Sequence, residues 1–150
     1  SKTCALGTIS RYIEVPDLNK GHLSASTLLL GVVGAGETKA TTPTPVSANR
    51  RIARDKDLRY AVIVYNAKRK DGHAKVTTAL TILQDGKVLY REPAQEVGDR
   101  GKDSALIKVG QLGLATVKPG RYLMQLEITD LSADKKDRTI YRSMDFAVVQ

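Results

Sequence analysis

The chain has 150 residues, of which 24 are Lys or Arg and 16 are Asp or Glu, so its formal net charge is +8 at pH 7. This length fits a single domain that buries one hydrophobic core of its own. The only cysteine, Cys4, has no partner in the sequence, which excludes a scaffold held by internal disulfides. The longest apolar run, residues 28–35, has the length of a strand and falls short of the ~18 residues of a membrane span.

Apolar and polar residues alternate with a period of two along most of the chain, which predicts an all-β protein. The first predicted strand covers residues 9–15 and stops at Pro16, because proline ends sheet pairing. The second covers residues 23–33, and its apolar tail from Leu28 is typical of a strand covered on both faces. Residues 34–50 are rich in Gly, Thr and Pro, and we expect a long exposed loop there.

The middle of the chain predicts a central strand followed by a hairpin. Residues 58–65 carry apolar side chains on both faces, which favours a position at the centre of a sheet. A charged turn then leads to a strand at residues 76–83, whose even-numbered apolar residues face inward. The Asp85-Gly86 pair supplies the positive φ values of a type I′ turn, so we expect residues 88–90 to return as the second strand of a hairpin.

The last third of the chain predicts a crossing connection and a closing hairpin. Residues 91–103 are polar and contain glycine, and we expect them to cross between two sheets. A strand over residues 105–114 approaches the Pro-Gly pair at 119–120, which opens the final hairpin with residues 131–138 as its connection. The Tyr122 phenol is expected to bond the backbone near this corner, as in the tyrosine corner of immunoglobulin-like folds.

Together these elements predict an immunoglobulin-like, two-sheet antiparallel β-sandwich of about seven to nine strands. We expect residues 1–150 to form a single domain, because the predicted strands before residue 34 are too few to bury a separate core.

Two short motifs look like ligand sites but lack the rest of the pattern. Residues 32–36 resemble the start of a dinucleotide-binding turn, yet the Thr- and Pro-rich stretch after them cannot begin the helix that such a site needs. Residues 130–134 resemble an Asp-x-Ser-x-Ser metal loop, but Lys135 and Lys136 follow and oppose a cation. No carboxylate pair, Ser/His/Asp arrangement or His/Cys cluster stands out. We therefore expect a non-catalytic protein with no catalytic, cofactor-binding or metal-binding residues.

The positive charge is concentrated in one segment. Residues 50–75 contain nine basic residues and three acidic ones, and the rest of the chain is close to balanced. Such a segment can attract an anionic polymer, either a polysaccharide or a nucleic acid, although it lacks the interleaved aromatic residues of single-strand binders. A solvated basic rim is the simpler interpretation. If the segment does bind an anionic ligand, the candidate residues are Arg50, Arg51, Arg54, Lys68, Arg69 and Lys70.

Several short motifs, taken in their order, resemble a known family. They lie at residues 10–18, 23–26, 64–67, 84–88, 119–122 and 145–148. The order resembles the region that follows the von Willebrand factor A-type domain in a group of acidobacterial exported proteins. The resemblance implies a C-terminal β-sandwich module of a larger exported protein, periplasmic, cell-surface or secreted, that serves adhesion, assembly or protein interaction.

The resemblance also bears on partners and on the extent of the chain. It implies that the partners are other domains of the same precursor or another protein, and it carries over no catalytic residue. The sequence begins without Met and shows no signal-peptide pattern, so we expect it to be a segment of a larger protein.

Overall fold

The computed structural model describes residues 21–38, 40–99 and 105–150. The predicted strand at residues 9–15 lies outside the described residues, as does Cys4. No helix in the described part of the chain is long and apolar enough to cross a membrane.

The described residues form strands of two to eleven residues and one 3₁₀ turn at Lys135–Asp137. In chain order the strands are β1 Ser24–Ala25, β2 Leu29–Gly34, β3 Thr44–Pro45, β4 Arg51–Ala53, β5 Lys56–Tyr65, β6 Arg69–Lys70, β7 His73–Ala74, β8 Val76–Gln84, β9 Lys87–Arg91, β10 Gln95–Glu96, β11 Leu106–Gly113, β12 Gly120–Asp130 and β13 Thr139–Val149.

A five-stranded sheet is built around β5. Strand β11 pairs with one side of β5 over eight residues, and β2 and β1 pair with its other side. The short strand β3 pairs with β2 and extends the sheet beyond it. All of these pairs are antiparallel, and the predicted central strand at residues 58–65 is confirmed.

A six-stranded sheet faces the first one. Strands β8, β12 and β13 are antiparallel neighbours at its centre, and β9 and β10 both pair with the outer side of β8. Strand β4 pairs with β13 in parallel over three residues. This pair departs from the predicted antiparallel arrangement. Strands β4 and β13 lie far apart in the sequence, with β5 to β12 between them, so no hairpin sets their relative direction.

One hydrophobic cluster lies between the two sheets. Leu58 and Val62 enter it from β5, while Leu126, Ile128 and Phe146 enter it from the six-stranded sheet, and all five are buried. The chain is therefore an all-β, immunoglobulin-like two-sheet sandwich, and seven strands in its described part have five or more residues.

The predictions for the first part of the chain need two corrections. The strand expected at residues 23–33 is two strands, and its tail is covered on both faces except at Leu29, which is 56% exposed on the outer face, whereas Val33 on the same face is buried. The segment expected as a loop at residues 34–50 is mostly exposed, but it turns back so that β3 pairs with β2.

The turns of the second half confirm the predicted hairpins. Asp85 and Gly86 have φ values of 50° and 77°, as a type I′ turn requires. The connection after β9 adds β10 to the six-stranded sheet before the chain resumes as β11 in the other sheet. The Tyr122 hydroxyl donates to the Lys118 carbonyl oxygen at 2.6 Å, so the expected corner bond is present.

Candidate functional site

A buried arginine organises the outer face of the five-stranded sheet. Leu58 and Tyr60 face the core, so the alternation of β5 turns Arg59 to the outer face, where it is only 5% exposed. Its guanidinium donates to Thr38 O and Gln111 Oε1, both at 2.8 Å, and to Thr41 O. One side chain thus connects β5, β11 and the loop that follows β2.

A buried carboxylate two residues earlier completes this network. Asp57 Oδ2 accepts a hydrogen bond from Gln111 Nε2 at 2.9 Å and another from the Gly36 amide at 3.0 Å. Gln111 Nε2 also donates to the Glu37 carbonyl oxygen at 3.1 Å. These bonds hold residues 36–38 and Thr41 against the sheet, and we call the group of Asp57, Arg59 and Gln111 the loop clamp.

The clamped loop forms one wall of an apolar cleft. The cleft has a volume of about 600 Å³, and its floor is the outer face of β2, β5 and β11. Leu29 and Val109 lie on either side of Ala61 in the sheet register and are 56% and 41% exposed. Pro43 of the loop and Pro45 of β3 also line the cleft. We call this feature the outer cleft.

The outer cleft borders a strand edge. Strand β11 pairs with β5 on one side, and no strand in the described part of the chain pairs with its other side. Lys108 is its only charged residue, and Ile107 and Val109 on its outer face are both exposed. An eight-residue edge with a single charge and exposed apolar side chains is a template for pairing with another strand.

The predicted basic residues fall into two groups that the fold separates. Arg50, Arg51 and Arg54 lie before β5, and Lys68, Arg69 and Lys70 lie after it. Strand β5 is ten residues long, so at about 3.3 Å per residue the groups are roughly 30 Å apart. The structure does not bring the six residues together, and the prediction that they bind an anionic ligand stays a prediction.

Most of these basic residues already have partners. Arg50 Nη2 lies 2.6 Å from Asp145 Oδ1, and Arg54 Nη2 donates to Ala115 O at 2.8 Å. Lys68 Nζ lies 3.8 Å from Asp134 Oδ2. Arg69 lies 3.0 Å from Asp99 Oδ2. The side chains of Arg51 and Lys70 are exposed.

Buried carboxylates hold the second basic group in place. Asp130 is 1% exposed, and its two oxygens accept from the Lys68 amide at 2.7 Å and the Ser132 amide at 3.0 Å. Asp99 similarly accepts from the Ala74 amide at 2.8 Å. The Asp130 carboxylate is thus committed to the backbone at the hairpin tip. Within the described ranges no group of three His, Cys, Asp or Glu side chains could hold a metal ion.

Among the residues that the structure describes, Tyr60 is the titratable group whose pKa is clearly shifted. Burial raises the pKa of Tyr60, and the Glu92 carboxylate and Tyr90 raise it further. Its ring lies over Gly110 of β11, the residue opposite it in the sheet. Tyr60 therefore stays protonated at neutral pH. Its buried ring fills the space beside Gly110 between β5 and β11.

Neither the loop clamp nor the outer cleft is predicted from the sequence. The signal available was the pair Asp57 and Arg59, two charged residues at alternate positions near the start of a strand whose residues from Tyr60 onward are apolar or aromatic. Charged residues that alternate with core residues and are themselves buried must be paired. Nothing in the local pattern showed that a loop covers them.

Fold and site together define an immunoglobulin-like β-sandwich with an apolar cleft beside a sheet edge that no described strand pairs with. No protein-family model matches the chain, and no curated protein matches it. Solved structures similar to it include the CARDB domain of a Pyrococcus furiosus protein in complex with di-metal ions, which is 14% identical with a TM-score of 0.44 over 91% of this chain and 100% of that chain. The solution structure of the same domain is 14% identical with a TM-score of 0.37, over 81% of this chain and 94% of that one.

The N-terminal domain of PorA is also similar, at 10% identity and a TM-score of 0.30, over 79% of this chain and 96% of that one. At these identities and TM-scores the similarities assign no function to this chain.

Proposed function

We propose that the chain is a non-catalytic interaction module that binds an extended segment of a partner protein along β11 and the outer cleft. The observation that carries the proposal is the apolar cleft beside a strand edge without a described partner. An added strand gains main-chain hydrogen bonds along the edge, and its alternate side chains gain pockets on one face.

The chemistry of β11 indicates the kind of segment that fits. A strand added to β11 places every second side chain on the outer face, beside Ile107 and Val109 and toward the outer cleft. Apolar residues of the added strand fit those positions. The chain carries a net charge of +8, and Lys108 is the only charge on the edge, so a neutral or acidic segment is favoured over a basic one. The occupant is therefore an alternating apolar strand, neutral or acidic, from a partner protein.

The wider setting of the module is part of the same proposal. The resemblance to the region that follows a von Willebrand factor A-type domain in acidobacterial exported proteins supports an exported location and a role in adhesion or assembly. In that setting the partner is another domain of the precursor or a separate protein, and residues 1–150 act as one structural unit.

The binding of a peptide strand is tested with a library of short random peptides and the whole chain. Enriched peptides should alternate apolar and polar residues and should shift the amide resonances of β11. Val109→Lys should weaken their binding by about tenfold or more, as loss of a central apolar contact does. The matched control is Leu89→Lys, since Leu89 is 56% exposed on β9 of the other sheet.

Two results would contradict the proposal. One is a library that yields no binder, and the other is an equal loss of binding in the Val109→Lys and Leu89→Lys variants. The non-catalytic part has a separate test, because turnover in a hydrolase screen that a point substitution abolishes would show an enzyme.

Binding of an anionic polymer is a second candidate function, favoured by the meeting of two lysine-bearing turns. The Leu131 amide donates to Lys75 O at 2.8 Å, and Lys68 Nζ lies 3.8 Å from Asp134. These contacts gather exposed lysines at one end of the sandwich: Lys68, Lys70, Lys75, Lys135 and Lys136. A polysaccharide fits better than a nucleic acid, because the two turns that carry these lysines, residues 66–75 and 131–138, contain no Phe, Tyr or Trp for stacking on bases.

The polymer candidate is tested on immobilised heparin with two double variants of equal charge. Lys70→Gln/Lys136→Gln should elute at clearly lower salt than wild type. Each lost contact between a lysine and the polymer reduces the salt-dependent part of the binding free energy. Lys87→Gln/Lys118→Gln removes two exposed lysines elsewhere and should elute near wild type. Equal shifts in both variants would show that only net charge matters and would remove this candidate.

A further inference from the structure

Two arginines from distant parts of the sequence flank one small residue on the six-stranded sheet. Ala147 of β13 pairs with Arg121 of β12 on one side and with Arg51 of β4 on the other. Residues opposite each other in a sheet point to the same face. Both arginines are exposed, so they point to the outer face and stand on either side of the Ala147 methyl group.

A groove lies between the two arginines. It has a volume of about 460 Å³, and besides these three residues its lining includes Asn49 and Gly120. The Cα atoms of the arginines are two strand spacings apart, or roughly 10 Å. A guanidinium on a long stem can cover half of that distance, so both groups can reach one ligand above Ala147.

The two guanidinium groups are available. Within the described part of the chain neither the Arg51 nor the Arg121 side chain has a hydrogen-bond or ion-pair partner. Asp145 also lines the groove, but its carboxylate is engaged by Arg50 at 2.6 Å. Asp85 lies in the neighbouring groove and forms no ion pair with Arg121. The groove therefore keeps two positive charges without a carboxylate to satisfy them.

We propose that Arg51, Arg121 and the gap above Ala147 form a binding site for a phosphate or sulfate group. A carboxylate is planar and is satisfied by one bidentate guanidinium. A tetrahedral oxyanion has oxygens on opposite sides, so two arginines that approach from opposite sides can each bind it bidentately. The two unpaired charges also match the double charge of such an anion. The site lies on a different sheet from the outer cleft and does not depend on it.

The test uses the whole chain and inorganic phosphate, inorganic sulfate and an O-phosphoserine tripeptide as probes. Each is titrated while the backbone amides of residues 51, 121 and 147 are followed by NMR. Saturable shifts at these amides are expected. Arg51→Gln and Arg121→Gln should each weaken binding by about tenfold, which corresponds to about 1.4 kcal/mol. Tighter binding of the tripeptide than of free phosphate would indicate that the group is carried by a larger molecule, and the reverse would indicate the free ion.

Two further variants separate this site from a general attraction of anions. Ala147→Leu keeps every charge but fills the gap between the arginines, so it should weaken binding as much as either arginine variant. Lys56→Gln removes the same charge from an exposed position on β5 of the other sheet and should leave binding unchanged. The proposal is wrong if no probe shifts these amides, if Ala147→Leu binds normally, or if Lys56→Gln weakens binding equally.

Discussion

Replacement of Arg59 by Met should release the loop that walls the outer cleft. Met keeps much of the stem volume but removes the donors that serve Thr38 O, Thr41 O and Gln111 Oε1. A hydrogen bond from a charged donor contributes about 1.5–3 kcal/mol, and a buried acceptor left without a donor adds a cost of similar size. The two loop carbonyls can bind water once the loop lifts, which limits the total. We therefore expect the free energy of unfolding to fall by about 3 kcal/mol.

Urea unfolding followed by circular dichroism measures this loss. The free energy of unfolding of Arg59→Lys should lie between those of wild type and Arg59→Met. A single ammonium group cannot replace the guanidinium, which donates both to the loop carbonyls and to Gln111. The control is Arg91→Met, since Arg91 is exposed and lies 3.8 Å from Glu127; it should cost less than about 1 kcal/mol.

Amide hydrogen exchange tests the mechanism behind the lost stability. The Thr41 amide donates to Thr38 O at 3.1 Å within the clamped loop. This amide should exchange much faster in Arg59→Met than in wild type. Amides in the middle of β12 exchange by global unfolding, so their protection should fall only by the amount that the lower free energy of unfolding accounts for. The reasoning is refuted if Arg59→Met is as stable as the Arg91→Met control. It is also refuted if stability falls while the Thr41 amide shows no added exchange.

Two further predictions concern the interior between β5 and β11. A Cβ added at Gly110 would overlap the Tyr60 ring, so Gly110→Ala should lower the free energy of unfolding by about 1–3 kcal/mol in urea. Gly113→Ala on the same strand meets Asp57 Oδ1 at an ordinary 3.6 Å and should cost far less; equal losses would contradict the steric reason. Because burial raises the pKa of Tyr60 above its usual 10.0, the unfolded chain loses this proton first as the pH rises. The contribution of Tyr60 to stability is therefore complete below about pH 10 and then falls by about 1.4 kcal/mol per pH unit, and Tyr60→Phe should lack this slope when unfolding is measured across that range. Parallel pH curves for the two proteins would show that Tyr60 does not titrate as described.

The elements that the sequence predicted well are those whose pattern is local. Strands β5, β8, β12 and β13 alternate along their own length, and the Asp85-Gly86 turn needs only two residues to define it. Strand β3 was missed because its pairing with β2 depends on a loop that folds back, and proline-rich residues at 43–45 predict no strand by themselves. The exposure of Leu29 likewise depends on which parts of the chain cover the outer face of the sheet, and the local sequence does not determine this.

The site residues were harder to predict because their grouping is tertiary. Closeness in sequence suggested that Arg54 and Lys68 belong to one basic surface, but a ten-residue strand places them at opposite ends of the sheet. The pair Arg51 and Arg121 shows the converse. Two residues far apart in the sequence become neighbours of Ala147 only through the register of β4, β13 and β12.

The parallel pairing of β4 with β13 has a consequence for synthesis on the ribosome. Arg50, next to β4, bonds a residue of β13 that lies 95 positions further along the chain. While the growing chain stops short of β13, β4 has no partner in the six-stranded sheet, although the adjoining β5 can already pair with β2. Sheet pairing over such separations is slow, because the loop must close before any contact forms. A nascent chain of this protein therefore exposes Ile52, which is 1% exposed in the folded state, until β13 emerges. During this interval the nascent chain offers a chaperone the most exposed apolar surface to bind.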